Sequence, residues 1–394
     1  MNPWRMVALL SFTATASYLC RVNVSVAGVQ MMKEFGLTQA AMGRVFSAFL
    51  LGYALFQIPG GMLADRFGAR RVLAVSALLW VAVTVWMAGV TAGQVALLLG
   101  LRFLLGFAEA PTFPASAQAI SGTFEASKQG RANGFVVAAI GLGSAIAPPL
   151  LTFVMVRSGW RAALLVSAVP ALGAGLGWCF LFRERIWAAG KPVSDGRGGR
   201  LGSRSFVLLT LSYTLQGYVG YIFVFWFYLY LVEVRHFDLL RGAVWGSLPW
   251  VLSIAAIPMG GWISDRLGGL MGRRAVAAAG LCGGAVCLAV GAHTASAVAA
   301  AVCLAVSTAL VLSTEAPFWA TMMEIAGSRS GAGGGMMNMG SNVGGLISPA
   351  LTPVLAEWFG WENALYWAAA LSAVGGLLWL GIRPKDVSCG NMHS

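Results

Sequence analysis

Long apolar stretches recur along the whole chain, and short connectors that carry most of the charged residues separate them. Each stretch reaches the roughly 20 residues that a helix needs to cross the hydrocarbon core of a bilayer. This pattern differs from the alternating one of a transmembrane β-barrel strand. It predicts an all-α membrane protein with twelve spanning helices, at residues 6–29, 43–64, 72–91, 94–120, 132–156, 161–182, 205–232, 242–263, 274–292, 296–322, 333–356 and 361–381.

The composition agrees with this prediction. Hydrophobic residues make up 58% of the 394-residue chain, charged residues make up 10%, and the mean hydropathy is +0.76. Soluble globular domains carry about 25% charged residues, so the lipid bilayer is the expected environment. The sequence has no GxSxG, Walker or HExxH motif, and its connectors are too short for a catalytic or signalling domain. We therefore do not expect an enzyme.

The basic residues predict the orientation of the chain, whose formal net charge is +12. Of the 26 lysine and arginine residues, eighteen lie on the side of the two termini, six lie on the opposite side, and Arg21 and Arg102 lie within spans. The positive-inside rule then places both termini in the cytoplasm, and we expect the cytoplasmic (inner) membrane of the cell. Because the basic residues are scattered and lack stacking aromatic neighbours, nucleic acid is not an expected partner.

Three motifs recur in the same order in both halves of the chain, at offsets of 200 to 206 residues. Gly60-Gly61 with Asp65-Arg66 returns as Gly260-Gly261 with Asp265-Arg266, GWRAAL at Gly159 returns as GWENAL at Gly360, and EAPTFPA at Glu109 returns as EAPFWA at Glu315. The repeats indicate a duplicated six-helix unit, which is an architecture of secondary transporters. The predicted domains are an N-terminal six-helix bundle (1–182), a cytoplasmic linker (183–204) and a C-terminal six-helix bundle with a short cytoplasmic tail (205–394). Since the cavity of such carriers lies within one chain, we expect a monomer.

Four charged residues lie deep within the predicted spans, and they are Arg21, Arg102, Glu109 and Glu315. Arg102 and Glu109 are seven residues apart, which places them on one helix face and roughly 10 Å apart along its axis. Pro111 interrupts the helix just beyond Glu109, and Pro317 lies close to Glu315. A charge at membrane depth indicates a functional site, although a structural ion pair or an arginine that snorkels to the interface is an alternative. Two arginines near one acid leave a positive site, which favours a bound carboxylate.

The Asp-Arg loops at the cytoplasmic ends of two spans are candidates for a gate. Their glycine pairs allow close helix approach, and their charged side chains can pair with each other or with helix ends. A solvated turn that follows the positive-inside rule would explain the arginines, but not the glycine pair and the acid that recur after 200 residues. The candidate gating residues are Asp65, Arg66, Arg70, Asp265 and Arg266.

The seventh span is rich in aromatic residues, and we expect most of them, Tyr213 included, to face lipid or the membrane interface. Only Gln216 and Tyr221 are nominated there as substrate-binding residues. The six cysteines and three histidines show neither CxxC spacing nor a cluster, so the sequence predicts no metal site.

The motif GGMLADRFGARR at Gly60 resembles that of the major facilitator superfamily, and the resemblance covers the whole chain. More narrowly, the chain resembles the anion:cation symporter branch, which includes bacterial sugar-acid transporters, vesicular glutamate transporters and sialin. The motifs that carry the resemblance are YLCRVNVSVA at Tyr18, FSAFLLGYALFQIPGGMLADRFGARRVL at Phe46, RFLLGFAEAPTFPA at Arg102, GRANG at Gly130, SAIAPPL at Ser144, FWFYLYLVEV at Phe225 and GGGMMNMGSNVGGLISP at Gly333.

The resemblance implies the major facilitator fold, with two pseudo-symmetric six-helix bundles, and transport of a small organic anion with a proton by alternating access. No cofactor is implied other than the proton as the coupling ion. Arg21 and Arg102 match arginines of the anion site, and Glu109 matches the acid tied to proton coupling. The remaining residues near positions implicated in substrate contact are Tyr53, Gln57, Asn338 and Asn342.

The chain departs from the sugar-acid carriers at two places. It has Cys20 where those carriers usually have an aspartate before the first arginine, so one protonatable group is missing. Its fifth span offers apolar residues at 136–139 where polar ones are expected, which suits a substrate with fewer hydroxyl groups. Glu315 is a candidate for the missing acid. The alternatives are a drug or lipid exporter of the same fold, which the paired arginines oppose if its substrate is a cation, and a non-transporting receptor or membrane-embedded enzyme.

Overall fold

The computed structural model describes residues 3–181, 201–327 and 329–383, which are helical almost throughout. The all-α prediction is therefore confirmed. Short segments of π-helix, Tyr230–Val234, and of 3-10 helix, Trp379–Gly381, accompany the α-helices. The α-helices are α1 Pro3–Phe35, α2 Gln39–Phe67, α3 Ala69–Ala88, α4 Val95–Glu109, α5 Thr112–Thr123, α6 Ala126–Phe180, α7 Arg204–Phe225, α8 Phe227–Leu229, α9 Leu239–Leu267, α10 Gly269–His293, α11 Ala297–Leu312, α12 Glu315–Ala326 and α13 Ser330–Leu378.

Ten apolar helical segments of the described residues are long enough to cross a membrane. Two of the helices, α6 with 55 residues and α13 with 49, are each interrupted by one glycine with non-helical backbone angles. These glycines are Gly159 (φ 80°) and Gly360 (φ 84°), and a positive φ is a conformation that glycine adopts without a steric cost. Both glycines lie between predicted spans, Gly159 after the span at 132–156 and Gly360 after the span at 333–356.

Two of the predicted spans are broken near their middles. The span at 94–120 consists of α4 and α5, which are separated at Ala110-Pro111, and the span at 296–322 consists of α11 and α12, which are separated at Ser313-Thr314. Pro111 lacks the N–H group that a continuous helix would use, which explains the first break. Each acid of the repeated EAP motif therefore lies at a helix end: Glu109 is the last residue of α4, and Glu315 is the first of α12.

The duplication is visible in the backbone. Gly68 and Gly268, which are 200 residues apart, have φ/ψ angles of 85°/143° and 76°/144°, and each separates a helix that ends in an Asp-Arg sequence from the next helix. Gly159 and Gly360 form a second such pair. Because a positive φ is unfavourable for residues with a Cβ atom, these recurring glycines interrupt the helices at equivalent positions in both halves.

The glycine pairs of the Asp-Arg loops bring helices into close contact, as the sequence predicts. A Cβ atom at Gly60 would lie 2.8 Å from the Cα atom of Pro111. A Cβ atom at Gly260 would collide with the carbonyl oxygen of Ser313. In each half, a glycine near the end of a long helix therefore packs directly against the backbone at the break beside the EAP motif.

The chain divides into two compact units. The first comprises the described parts of Met1–Lys191 together with Val224–Ser247, and the second comprises those of Pro192–Phe223 and Leu248–Ser394. In the first unit, the hydroxyl of Ser25 donates to the carbonyl oxygen of Phe225 at 2.6 Å, and the ring of Phe46 stacks on that of Phe225 with centroids 5.1 Å apart. The domain bounds 1–182, 183–204 and 205–394 stay a prediction, since residues 183–200 of the linker lie outside the described part of the chain.

One exposed ion pair connects elements of the first unit at the end of α1. Glu34 accepts hydrogen bonds from the guanidinium of Arg161 at 2.6 Å and from the indole of Trp160 at 2.7 Å. Both charged side chains are about two-fifths exposed, so the pair contributes little to stability.

Candidate functional site

Three helices of the first unit bring the buried charges together. Arg21 lies in α1, Phe49 and Tyr53 lie in α2, and Arg102 and Glu109 lie in α4. All five side chains are at least 95% buried. The helices α2 and α4 approach each other closely where Gly52 and Gly106 lack side chains, since a Cβ atom at either position would collide with the backbone of the facing helix. The sequence prediction that both arginines and Glu109 lie inside the protein is thus confirmed by their burial.

Glu109 pairs with Arg21. The Nε and Nη2 atoms of Arg21 donate to Oε2 of Glu109 at 3.3 and 3.1 Å, and both side chains are about 98% buried or more. The Nη1 atom of Arg21 donates to the hydroxyl of Tyr18 at 3.2 Å. Charge-assisted hydrogen bonds of this kind are the strong ones, and in a low dielectric they hold both side chains in place.

Three aromatic rings surround the guanidinium of Arg21. Its central carbon lies 4.6 Å from the ring centroid of Tyr18, 5.0 Å from that of Phe49 and 4.6 Å from that of Tyr53. A guanidinium is attracted to the face of an aromatic ring, and the attraction increases where water is excluded. One carboxylate, that of Glu109, and three aromatic rings therefore stabilise the Arg21 cation.

Arg102, unlike Arg21, forms no hydrogen bond with a carboxylate of the described residues. Its side chain is fully buried, and none of its three nitrogen atoms has a hydrogen-bond partner among the described residues. The ring of Phe49 lies 4.9 Å from its guanidinium carbon. The hydrogen bonds of Glu109 go to Arg21 on another helix. The structural ion pair of Arg102 with Glu109, which the sequence left open as an alternative, is therefore not among the ion pairs of the described residues.

The unsatisfied atoms of this cluster define what it can bind. Besides the nitrogen atoms of Arg102, Oε1 of Glu109 lacks a hydrogen-bond partner among the described residues. A buried charge without a partner is expensive, and a guanidinium offers five N–H donors in a planar fork that matches a carboxylate or a similar oxyanion. With two cations and one acid, the cluster has a formal charge of +1 while Glu109 is ionised. It is suited to a small anion.

Tyr53 and Gln57, two of the candidate substrate-binding residues, lie beside each other on α2. The amide of Gln57 donates to the hydroxyl of Tyr53 at 3.2 Å, and Gln57 is partly exposed. Cys20 and Asn23 instead hold α1 against α6: the Cys20 thiol donates to the carbonyl oxygen of Ser167 at 3.3 Å, and the Asn23 amide donates to the Ser167 hydroxyl at 2.9 Å. These two residues of α1 thus have a packing role.

The second unit contains a separate acid. Glu315 is partly buried and accepts hydrogen bonds from the hydroxyl of Tyr213 at 2.9 Å and from the amide of Gln216 at 2.8 Å. No lysine, arginine or histidine of the described residues forms an ion pair with it. Neutral donors alone therefore surround this carboxylate.

The other candidates of the second unit lie on α7 and α13. Tyr221 packs against α13, because a Cβ atom at Gly345 would collide with its ring. Asn338 is partly exposed and Asn342 is buried, and the intervening Gly340 packs against Thr214 of α7. The helices that carry Gln216, Tyr221 and the two asparagines are thus neighbours.

The candidate gating residues lie at exposed helix ends. Asp65 accepts a hydrogen bond from Gln118 at 2.9 Å, and the guanidinium of Arg66 lies over the ring of Phe67. Arg70 donates to the carbonyl oxygens of Trp178 and Cys179 at the end of α6, where helical carbonyls lack partners. In the second unit, Asp265 and Arg266 are exposed, and Arg266 lies over the ring of Trp262. Arg70 thus caps a helix, and a gating role for the five residues stays a prediction.

Sequence reasoning missed three residues of these clusters. Tyr18 and Phe49 contact Arg21, and Tyr213, which was expected to face lipid or the interface, is buried and donates to Glu315. Spacing offered a usable signal for all three, because each shares a helix face with a nominated residue. Tyr18 lies three residues before Arg21, Tyr213 lies three residues before Gln216, and Phe49 lies four residues before Tyr53.

Comparison with known proteins decides the family. The family model of the Major Facilitator Superfamily matches residues 10–345. This chain belongs to the Major Facilitator Superfamily. The probable sulfoacetate transporter SauU of Cupriavidus necator is 34% identical, over 96% of this chain and 93% of its own length. The hexuronate transporter of Bacillus subtilis is 26% identical over 94% and 92%, and the D-galactonate transporter of Escherichia coli O6:H1 is 25% identical over 95% and 94%.

The superfamily fold also appears in a solved structure. A bacterial homologue of the human lysosomal transporter Spinster, crystallised in an inward-facing and occupied conformation, has a TM-score of 0.82 with 16% identity, over 98% of this chain and 99% of its own. The predicted superfamily, its fold and the resemblance to sugar-acid transporters are thus confirmed. The chain is a multi-pass membrane transporter and not an enzyme.

Proposed function

We propose that this major facilitator transporter carries a small organic anion across the membrane together with a proton, by alternating access. The observation that carries the proposal is Arg102, a fully buried guanidinium whose nitrogen atoms have no hydrogen-bond partner among the described residues. A cation in this state would gain most from an anionic substrate. The same feature opposes the alternative of an exporter for lipophilic cations.

The substrate class follows from the donors and from the relatives. Arg102 supplies a planar fork of donors for a carboxylate or a sulfonate, while Arg21 already uses three of its nitrogen atoms on Glu109 and Tyr18. The apolar residues 136–139 of α6 favour a substrate with few hydroxyl groups. Sulfoacetate is the first anion to test, because the probable sulfoacetate transporter SauU is 34% identical to this chain. Sugar acids, such as the hexuronates for which another relative is named, follow.

The Arg21–Glu109 pair offers a mechanism for coupling. Protonation of Glu109 removes the negative charge that holds Arg21, so the formal charge of the cluster changes from +1 to +2 and a second guanidinium becomes available. The anion is then bound more tightly when the proton is present, and by thermodynamic reciprocity the proton is bound more tightly when the anion is present. This sign of coupling is the one that symport requires. Glu315 is the candidate for a second proton carrier.

The remaining features of the proposal concern the cell and the assembly. We expect a monomer in the cytoplasmic (inner) membrane with both termini in the cytoplasm, as the distribution of basic residues predicts. Asp65, Arg66 and Arg70, with Asp265 and Arg266 in the second half, are the candidate gating residues. No cofactor beyond the proton is proposed.

The test is uptake of radiolabelled sulfoacetate and sugar acids into proteoliposomes with an acidic exterior. The wild type should accumulate one of these anions against its gradient. Glu109→Gln should abolish the pH-driven accumulation but retain exchange of internal for external anion, because the arginines remain. Glu34→Gln removes an exposed acid of the same unit and is the matched control, with uptake close to that of the wild type. Uphill uptake by Glu109→Gln would refute the role of Glu109 in proton coupling. Uptake of lipophilic cations alone by the wild type would refute the proposal that the substrate is an organic anion.

A further inference from the structure

One aromatic ring contacts both arginines of the buried cluster. The centroid of Phe49 lies 5.0 Å from the guanidinium carbon of Arg21 and 4.9 Å from that of Arg102. The side chain is fully buried, and its ring is nearly parallel to that of Tyr53, with centroids 6.0 Å apart and planes at 16°. Phe49 is thus the shared neighbour of two like charges.

The backbone fixes the position of this ring. A Cβ atom at Gly106 of α4 would collide with the carbonyl oxygen of Phe49 and would lie 2.8 Å from the nitrogen of Tyr53. Gly106 follows Arg102 by four residues and precedes Glu109 by three, so the contact lies between the two charged residues along α4. The close approach of the helices therefore places Phe49 at the level of the charges and restricts its movement.

A phenylalanine has a particular effect on two neighbouring guanidinium groups. Its ring attracts each cation by its negative face, which offsets part of the cost of burying them. It has no carboxylate or hydroxyl oxygen, so it does not use the N–H donors of Arg102. An acidic or hydroxyl side chain at this position would occupy donors that an incoming anion needs.

We propose that Phe49 is a positioning residue that holds the guanidinium groups of Arg21 and Arg102 apart and orients them, so that the donors of Arg102 stay available to the substrate. The inference rests on the proposed function as far as the substrate is concerned, but the contact between Phe49 and Arg102 is testable without it. Loss of the ring lets the guanidinium of Arg102 move towards Glu109, where its donors are consumed.

The first experiment is a double-mutant cycle on the thermal unfolding midpoint of the full chain in detergent, without any ligand. Phe49→Leu, Arg102→Met and the double variant should show shifts that do not add, because the two side chains interact directly. Phe46→Leu is the matched control, since Phe46 is equally buried one turn earlier on α2 but contacts Phe225 and Trp226. Its shift should add to that of Arg102→Met. Additive shifts for Phe49→Leu would overturn the positioning role.

The second experiment measures the concentration of sulfoacetate that gives half-maximal thermal stabilisation. Phe49→Leu should raise it about tenfold, as expected for the loss of cation–π contacts in a desolvated site. Phe46→Leu, which leaves both cation–π contacts of Phe49 in place, should bind with the affinity of the wild type. Equal affinity of Phe49→Leu and the wild type would overturn the proposal. Absence of any stabilisation of the wild type by sulfoacetate or sugar acids would count against the proposed substrate class, and the double-mutant cycle would then decide the role of Phe49 by itself.

Discussion

The two acids of the repeated EAP motif have different neighbours, although each lies at a helix break. Glu109 in the first unit is fully buried and accepts two hydrogen bonds from Arg21. Glu315 in the second unit is partly buried and accepts hydrogen bonds from Tyr213 and Gln216, which are neutral. One half thus surrounds its acid with cations, and the other surrounds it with neutral donors.

The residue seven positions before each acid shows the same divergence. Arg102 precedes Glu109 by seven residues, and Thr308 precedes Glu315 by seven. Thr308 is as buried as Arg102, but its hydroxyl donates to the carbonyl oxygen of Leu304 in its own helix at 3.0 Å. At equivalent positions of the repeat, the polar group of Thr308 is thus satisfied by its own helix, whereas the nitrogen atoms of Arg102 lack a hydrogen-bond partner among the described residues. Equivalent positions in a duplicated fold need not share a chemical role.

The largest effect is expected from Arg102. Arg102→Met should reduce sulfoacetate or sugar-acid uptake by about 100-fold or more, because hydrogen bonds to a charged group are worth about 1.5–3 kcal/mol each and Arg102 has several donors to offer. Thr308→Val, which removes a polar group that is already satisfied, is the matched control in the second half and should change uptake by less than about threefold. Both are measured as initial rates in proteoliposomes at equal protein.

The comparison fails if the two variants behave alike. A large loss for Thr308→Val would indicate that both halves contribute equivalent anion contacts. Retention of uptake by Arg102→Met would mean that the buried guanidinium has a structural role, and the proposed substrate site would then have to be abandoned.

A smaller effect is expected from Glu315. In Glu315→Gln, the amide oxygen still accepts the hydrogen bond from the Tyr213 hydroxyl. The new NH2 group faces Gln216, whose amide has to turn over and accept with its oxygen, so both contacts persist while the charge is lost. If Glu315 carries a second proton, the variant should accumulate the anion to a lower level at the same pH gradient, with uptake reduced by about three- to tenfold rather than abolished. The measurement is the steady-state accumulation ratio at several imposed pH gradients. An unchanged ratio would leave Glu109 as the proposed proton carrier and would remove Glu315 from the mechanism.

The sequence was sufficient for the architecture and for the burial of the charges. Apolar length predicted the spans, three repeated motifs predicted the duplication, and the depth of Arg21, Arg102 and Glu109 in apolar segments predicted that they are buried. These features depend on hydrophobicity and on local spacing, which the sequence states directly. The helix break before Glu315 also has a local signal in Pro317.

The pairing within the site could not be predicted in the same way. Spacing along α4 places Arg102 and Glu109 on one face, but the hydrogen bonds of Glu109 depend on which side chain α1 presents to it, and that is Arg21. The contact between Phe49 and both arginines depends on the distance between α2 and α4, which Gly52 and Gly106 set. Tyr213 was misplaced because aromatic richness is typical of membrane interfaces and carries no information about which ring turns inward.

The smallest effect concerns what the two halves share. Gly60→Ala and Gly260→Ala should each lower the thermal midpoint in detergent by a similar amount, because each places a Cβ atom against the backbone of a neighbouring segment, and such overpacking typically costs about 1–3 kcal/mol. Gly134→Ala in α6 is the control: no atom lies within 4 Å of its Cβ position, and alanine favours the helix. That variant should be as stable as the wild type or slightly more so. Destabilisation by only one of the two substitutions would contradict the inference that Gly60 and Gly260 make equivalent packing contacts. The similarity of the two halves would then be limited to the backbone angles of the paired glycines and would not include the contacts beside the EAP motif.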